Sequence, residues 1–397
     1  MIYLDVTGAC RLPLQTGIPR TTRELASRLQ RLLPDVCPVA WQPFQRGYTR
    51  LSSRSQRMME DPFAEEFSSR NPPSDSTVPI MAAALADLLQ GAPSKIKAGE
   101  LYSSDATLLI TSIFPDNRLE SLLSLKGRPG RRLAIFHDAI PLRDPAVKGW
   151  IRGRHVKALK VFAAMDAVIC VSEASEHELQ RLWADHGMTP APTYVLPWPV
   201  PMNGARPPWS EPVQDMPSVL CVGRLKRLKN QSVLLEAAEI LWEEGVRFSL
   251  TLVGCEDVPA ESRQLRSQIE RLQRQGHPLT WMGHVSDSQL HQCYRGAWFT
   301  VFPSLKEGMG LPILESLWHG RPVICGLDEP MASLGKGPGC LLADMRSAKD
   351  VADVMRSLLV DGIRAGELSR DAHGRPLRSW EDYLPEFTSI LREVPSR

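Results

Sequence analysis

The stretch Phe302–Gly326, FPSLKEGMGLPILESLWHGRPVICG, decides how the rest of the chain is read. It leaves an apolar strand, passes an acid at Glu307 and a Gly308-Met309-Gly310 turn, and continues as an apolar helical run that carries a second acid, Glu315. Two acids on either side of a glycine turn do not share a helix face. Glu307 therefore belongs to the loop after a strand over Phe299–Phe302. A helix starts near Leu311, with Pro312 suited to its first turn and Glu315 about one turn in. A helix entered through glycines directly after a strand directs backbone N–H groups at whatever lies before it, and the dipole favours an anion there, phosphate above all. Glu315 is expected to face a sugar or ribose hydroxyl rather than the phosphate.

Working outward, the same strand-then-helix rhythm fills the second half. Strands are expected at Val219–Val222, Phe248–Val253, Leu279–Met282, Phe299–Phe302 and Pro322–Cys325, and helices from Asn230 and over Ala260–Gln275, Asp287–Arg295, Leu311–Trp318 and Ala348–Leu359. The first half repeats it. Strands Ile2–Val6, Thr107–Ile113, Arg132–Phe136 and Asp166–Val171 alternate with a helix from TGIPRTTRELASRLQRLL and a helix Val147–Met165, and Ser172 with Glu176 has the look of a capping pair. Alternation of this kind implies parallel sheets built from βαβ units. Residues 1–198 thus form one Rossmann-like α/β domain and residues 218–379 a second, joined by the proline-rich, aperiodic segment 199–217, which reads as a semi-rigid linker. The segment 45–99, with its Ser, Arg and Pro clusters, reads as an irregular insertion carrying one short helix, Met81–Gln90. An amphipathic helix over 380–397 closes the chain and is expected to pack back on the first domain. The fold class is two facing α/β domains with the site in the cleft between them.

Composition narrows the function. A net charge of +2 over 397 residues gives no general argument for nucleic acid. No apolar run approaches the roughly 18 residues of a membrane span, and Met1 leads directly into IYLDV without a signal-peptide pattern, so a cytoplasmic protein is expected. The eight cysteines are scattered without a C-x-x-C pair, which argues for buried free thiols rather than zinc or disulfides. The arginine-bearing first helix, with Arg20, Arg23, Arg28 and Arg31 as a basic outer face, and the helix Val147–Met165 with Arg152, Arg154, Lys157 and Lys160, admit peripheral contact with anionic lipid at the inner face of the membrane.

The chemistry gathers at the carboxyl edges of the sheets, where open α/β folds bind ligands. VGRLKRLKN puts Arg224 and Lys229 in the turn after the first strand of the second half, on the same edge as Glu307 and Gly308. Two cations beside an amide-lined helix N-terminus suit a diphosphate. The pattern is neither G-x-G-x-x-G nor a Walker loop. Gly17 and Arg20 stand at the corresponding edge of the first half, as does His137-Asp138 at the end of a strand.

At this point a resemblance enters. VGRLKRLKNQSVLLEAA followed about eighty residues later by EGMGLPILE resembles the donor-binding domain of retaining glycosyltransferases of family 4, which have the two-domain GT-B fold. The likeness covers roughly Val219–Leu359, while TGIPR, HDAIPL and VICVSEASEHEL resemble bacterial members that build polysaccharide or lipopolysaccharide chains. It implies that Glu307 contacts the donor sugar, Glu315 the nucleotide ribose, and Arg224 and Lys229 the diphosphate, with Gly308, Met309, Gly310 and Leu311 lining it. It further implies that Gly283, His284 and Val285 hold the base through backbone, that Gly17 contributes to the donor site, and that His137 touches the donor sugar. Arg20 and Asp138 become acceptor candidates. The chain departs from the family at Thr16-Gly17, where paired glycines are usual, and at Asp328–Gly339, which lacks the usual Pro-Glu.

The expected activity is retaining transfer of a hexose, mannose from GDP-mannose, onto a saccharide or lipid-linked acceptor. Glu307 and Glu315 are committed to hydroxyls, so neither serves as the nucleophile that a glycosidase carboxylate pair would supply. No D-x-D occurs, so neither metal nor other cofactor is expected beyond the nucleotide-sugar co-substrate. Two alternatives stay open: a nucleotide-sugar epimerase or hydrolase of the same fold, and a non-catalytic scaffold subunit that binds nucleotide sugar.

Overall fold

The computed structural model describes residues 1–12, 17–62, 77–89, 94–113, 116–125, 127–145, 147–202, 204–210, 216–256 and 259–395. They divide into two compact units: Met1–Pro201 with Ser379–Arg397, and Met202–Arg378.

Unit 1 runs β1 (Ile2–Asp5), α1 (Gly17–Leu32), β2 (Val36–Gln42), β3 (Gly47–Arg50), α2 (Ser53–Glu60), α3 (Thr77–Leu89), α4 (Ala98–Leu101), β4 (Thr107–Ile110) and α5 (Arg118–Leu123). It continues through β5 (Arg131–Phe136), α6 (Ile140–Arg143), α7 (Gly149–Ala163), β6 (Ala167–Cys170), α8 (Glu173–Asp185) and β7 (Thr193–Val195). The sheet order is β3-β2-β1-β4-β5-β6-β7, parallel throughout except for β3, which pairs antiparallel with β2. Strands covered on both faces are apolar along their whole length, and TLLI of β4 and AVIC of β6 are buried at every position.

Three expectations are corrected in this unit. The described residues of the segment 45–99 hold more than the one short helix expected there: α3 covers that helix as far as Leu89, the edge strand β3 and the helix α2 are added, and α2 is docked where Ser52 and Ser55 donate to the buried Asp87 of α3. Gln90, the expected helix end, lies outside the described residues, as does Thr16. The basic outer face of α1 loses two members, since Arg20 and Arg23 are 5% and 6% exposed. The Arg23 guanidinium donates to the carbonyls of Ala9 and Leu12, and it faces inward because those loop carbonyls need donors. Finally, the cap of α8 pairs Ser172 with Ser175, the residue at the third helical position, rather than with Glu176.

The last helix, α16 (Trp380–Glu393), belongs to unit 1. Tyr383 stacks on the buried Trp198 at 5.2 Å, Trp380 lies tilted against it at 6.1 Å, and Arg131 donates to the Leu391 carbonyl at 2.7 Å.

Unit 2 runs β8 (Ser218–Val222), α9 (Gln231–Glu243), β9 (Ser249–Val253), α10 (Pro259–Arg274), β10 (Leu279–Trp281), α11 (Asp287–Gly296) and β11 (Phe299–Phe302). It then adds α12 (Leu311–Trp318), β12 (Val323–Gly326), α13 (Met331–Gly335), β13 (Cys340–Ala343), α14 (Ala348–Leu359) and α15 (Gly362–Gly374). The sheet is parallel, order β10-β9-β8-β11-β12-β13, so the chain leaves β8 for one edge and returns to its other side at β11. The carboxyl ends of β8 and β11 at that switch point are where a doubly wound sheet opens a ligand crevice. The described residues 204–210 of the linker are tied down. Arg206 donates to the carbonyls of Leu317, Trp318, Ala372 and Arg375, and Trp209 donates to Ser369 at 3.0 Å, so this part is fastened to the C-terminal end of α12 and to α15. A cation is favourable at that end of a helix.

No helix among the described residues is long and apolar enough to cross a membrane. The eight cysteines form no disulfide.

Candidate functional site

In unit 2 the loops after β8, β9 and β11 are laced together. Gly223 donates to Val253 at 2.9 Å, Leu225 to Cys255 at 2.9 Å, and Leu305 to Leu228 at 2.9 Å. Gly254, at φ +141°, lies so close to the neighbouring loop that a Cβ there would sit 2.1 Å from the Gly223 carbonyl oxygen. Only glycine permits this approach. These bonds carry the turn holding Lys229 against the loop holding Glu307.

The Lys229 ammonium donates to Glu307 Oε1, and its Nζ lies 5.7 Å from the Phe302 ring centroid. The same carboxylate oxygen accepts the Ser304 hydroxyl at 2.5 Å. Arg224, in the same turn as Lys229, reaches the Glu256 carbonyl at 3.5 Å. Beside this pair, α12 begins at Gly310, left-handed at φ +88° and without a side-chain cap. Ile313 donates back to Gly310 at 3.0 Å, and Pro312 has no N–H to satisfy. A helix N-terminus entered through Gly310 favours an anion, and Lys229 and Arg224 lie on the same edge of the sheet.

Glu315 is 7% exposed and accepts the Tyr294 hydroxyl at 2.8 Å. The Gly283-His284-Val285 turn follows β10, with Gly283 at φ +63° and its carbonyl accepting the Gly254 amide at 2.7 Å. Partial burial holds the His284 imidazole below its usual pKa, and Asp287 opposes that shift. The structure therefore brings Arg224, Lys229, Glu307, Gly308, Met309, Gly310, Leu311 and Glu315 to one edge of one sheet, with Gly283–Val285 on the adjoining loop.

Unit 1 holds the other predicted residues. His137 follows β5, and its Nε2 donates to the Thr111 carbonyl at 2.8 Å, a contact that fixes the tautomer because a carbonyl only accepts. Its ring stacks on Trp198 at 6.1 Å. Burial pushes its pKa down to about 4, against the opposing pull of the Thr111 carbonyl, so the ring is neutral at physiological pH. Asp138 accepts the amide of Ile140, the first residue of α6, at 3.0 Å. Gly17 opens α1 and is exposed, whereas Arg20 is buried.

Tyr294 and Ser304, each holding one of the two acids, were absent from the sequence expectations. Ser304 had a legible signal, because S-x-x-E over Ser304–Glu307 is the capping-box spacing. Tyr294 had none, since its partner lies on another helix beyond a strand.

The architecture is that of the GT-B glycosyltransferases. Sucrose-phosphate synthase of Thermosynechococcus elongatus superposes with a TM-score of 0.70 over 99% of this chain and 98% of that one, at 18% identity. HepE of Anabaena, solved with UDP-glucose, gives 0.62 over 94% and 92% at 14% identity. Residues 216–361 match the family model "Glycosyl transferases group 1". Among curated relatives, the serotype-specific mannosyltransferase WbdA of Escherichia coli is 26% identical over 254 residues, 58% of this chain and 31% of its own length. The O-antigen chain mannosyltransferase B of Escherichia coli is 32% identical over 165 residues, 41% of this chain and 42% of its own. The chain thus spans 31% and 42% of the length of these relatives. The chain thus shares the GT-B fold with these structures, and the match to the group 1 family model lies within unit 2.

Proposed function

We propose that the protein transfers a hexose, mannose from GDP-mannose, to a saccharide or lipid-linked acceptor in cell-surface polysaccharide synthesis, with retention at the anomeric carbon and without a metal. The observation that carries this is the Lys229–Glu307 pair standing at the uncapped start of α12. Two mannosyltransferases among the relatives support the sugar.

The geometry supports an electrostatic mechanism. The anomeric carbon–phosphate oxygen bond breaks, charge builds on the leaving diphosphate, and Arg224, Lys229 and the first amides of α12 receive it. As the diphosphate draws Lys229 away, Glu307 turns to the sugar hydroxyls and Glu315 keeps the ribose. The acceptor oxygen joins the anomeric carbon from the same face, and its proton passes to the departing phosphate oxygen. His137 contributes from unit 1 as a neutral ring. A cationic imidazole would oppose the positive charge developing on the sugar, and the low pKa removes that cation.

Unit 1 in this reading takes the acceptor. Peripheral contact with anionic lipid is proposed for α7, where Trp150 is 63% exposed with the Arg154 guanidinium 5.4 Å over its ring and Lys148, Lys157 and Lys160 exposed nearby. Loss of sedimentation with phosphatidylglycerol vesicles in Trp150→Ala is the expected result.

Transfer is tested by incubating GDP-mannose with mannoside acceptors and reading the product anomer by NMR. An α-linked product that disappears with Glu307→Ala and with Lys229→Ala is expected. An inverted product rules out the same-face step, and donor turnover without acceptor favours an epimerase or hydrolase.

A further inference from the structure

Glu315 is nearly buried, and a carboxylate in such a place needs partners that fix it as well as satisfy it. Its Oε2 accepts from Tyr294, a wholly buried side chain on α11. The tyrosine is in turn clamped. Its ring lies on the His319 imidazole at 4.7 Å with only 11° between the planes. His319, at the end of α12, bonds the Glu315 carbonyl through Nδ1 at 2.8 Å, and its Nε2 meets His291 Nδ1 at 2.9 Å.

Because a carbonyl only accepts, His319 carries its proton on Nδ1, and Nε2 is left to accept from the Nδ1–H of His291. Burial, the largest influence, pushes the His319 pKa down to about 3, so this ring stays neutral and keeps one tautomer at neutral pH. The two histidines therefore form a chain of fixed polarity that runs from α11 to the main chain of Glu315. That chain pins the face on which Tyr294 rests. The terminal torsion of a glutamate is broad and weakly restrained by itself, so its carboxylate plane is set by what bonds to it. Here the Tyr294 hydroxyl supplies one such bond, at 2.8 Å.

We propose that Tyr294, backed by the His319–His291 pair, is the positioning residue that orients the Glu315 carboxylate and so imposes a requirement for an intact ribose hydroxyl on the donor nucleotide. This rests on the assignment of Glu315 as the ribose ligand. Tyr294 touches no substrate and acts only through that acid.

The test is calorimetric titration of GDP and 2′-deoxy-GDP into the full chain and its variants. The native protein is expected to prefer GDP by about tenfold or more, the scale of a lost hydrogen bond to a charged group. Glu315→Gln should abolish most of that preference. Tyr294→Phe, which removes only the hydroxyl, should reduce it to about threefold or less, with the donor KM raised and kcat within about twofold. Its unfolding midpoint should stay close to native. His319→Leu, which removes the stacked imidazole and leaves the hydroxyl, should shift the preference in the same direction, and it decides the matter if Tyr294→Phe does not fold. Full ribose preference in Tyr294→Phe, or in His319→Leu where that variant is decisive, alongside its loss in Glu315→Gln, overturns the positioning role and leaves the ribose assignment standing. Full preference in Glu315→Gln overturns the ribose assignment itself.

Discussion

Arg23 in unit 1 and Lys229 in unit 2 both follow the first strand of a parallel sheet, yet they are used in opposite ways. Arg23 is 6% exposed, bonded to two backbone carbonyls, and burial pushes its pKa down to about 10. Lys229 keeps 29% of its side chain exposed and is paired with a carboxylate that is itself partly exposed. A cation held by backbone dipoles has no reason to leave them, and its role is to close a loop. A partly exposed cation held by a single carboxylate can exchange that acid for a phosphate. The same contrast runs through both units: unit 1 encloses Asp5 among Thr7, Tyr48 and Arg118, and seals Arg132 onto Asp166. Unit 2 also fixes Arg206 and Arg321 on backbone carbonyls, yet it sets Arg224 and Lys229 in the turn near the start of a helix.

If that contrast is sound, its largest consequence is in stability. Asp5→Ala leaves the buried Arg118 without its 2.6 Å partner and should cost about 3–5 kcal/mol in chemical denaturation. A loss below about 1 kcal/mol would show that the enclosure of unit 1 is not structural. Next in size, Lys229→Ala should lower transfer by about 10²–10³-fold, the range for removing one transition-state donor, with an unchanged denaturation midpoint. A midpoint that falls with activity would erase the distinction drawn between the two cations.

Each unit also holds a neutral histidine, half-buried His137 and buried His319, which gives a shared pH signature. The folded pKa values, about 4 for His137 and about 3 for His319, lie below the ordinary 6.5, and burial is the main cause in both. Between roughly pH 6.5 and 4 the unfolded chain therefore binds more protons than the folded one, so stability is full above 6.5 and declines as pH falls through that window. Denaturation at pH 7 and pH 5 should show this decline, and His319→Leu should lessen it. A smaller effect follows from Ser304→Ala. Removing its bond to Glu307 should lower kcat/KM by about fivefold, the scale of one hydrogen bond of about 1 kcal/mol. Smallest is Arg28→Ala on α1, where a partly exposed pair with Glu24 and a guanidinium 5.2 Å over Trp380 together contribute about 1 kcal/mol or less.

Much of unit 2 could be read from sequence because its signals are local. A strand, a glycine turn and a helix with Pro312 near its start specify α12 within a dozen residues, and the observed helix begins at Leu311 as expected. Most of the parallel strands were legible for the same reason, since their apolar runs are short and bounded by turns, but β2, β7 and β13 were not read from the sequence. What escaped was set by partners far away in the chain. Nothing in TTRELASR distinguishes Arg23 from Arg28, because one faces carbonyls of the preceding loop and the other faces Glu24 and Trp380. Strand β3 was missed because it is only four residues long and lies at an edge among polar clusters. Tyr294 was invisible because a hydrogen bond between α11 and α12 leaves no periodic trace.

The central claim is that the start of α12, with Arg224 and Lys229, receives the donor diphosphate. Calorimetric titration of GDP into the native chain, Arg224→Ala, Lys229→Ala and the neighbouring control Lys226→Ala tests it most directly. Affinity about tenfold or more weaker in the first two variants, with Lys226→Ala within about twofold of native, is the predicted result. Equal affinity in all four proteins, or an equal loss in all three variants, would contradict it.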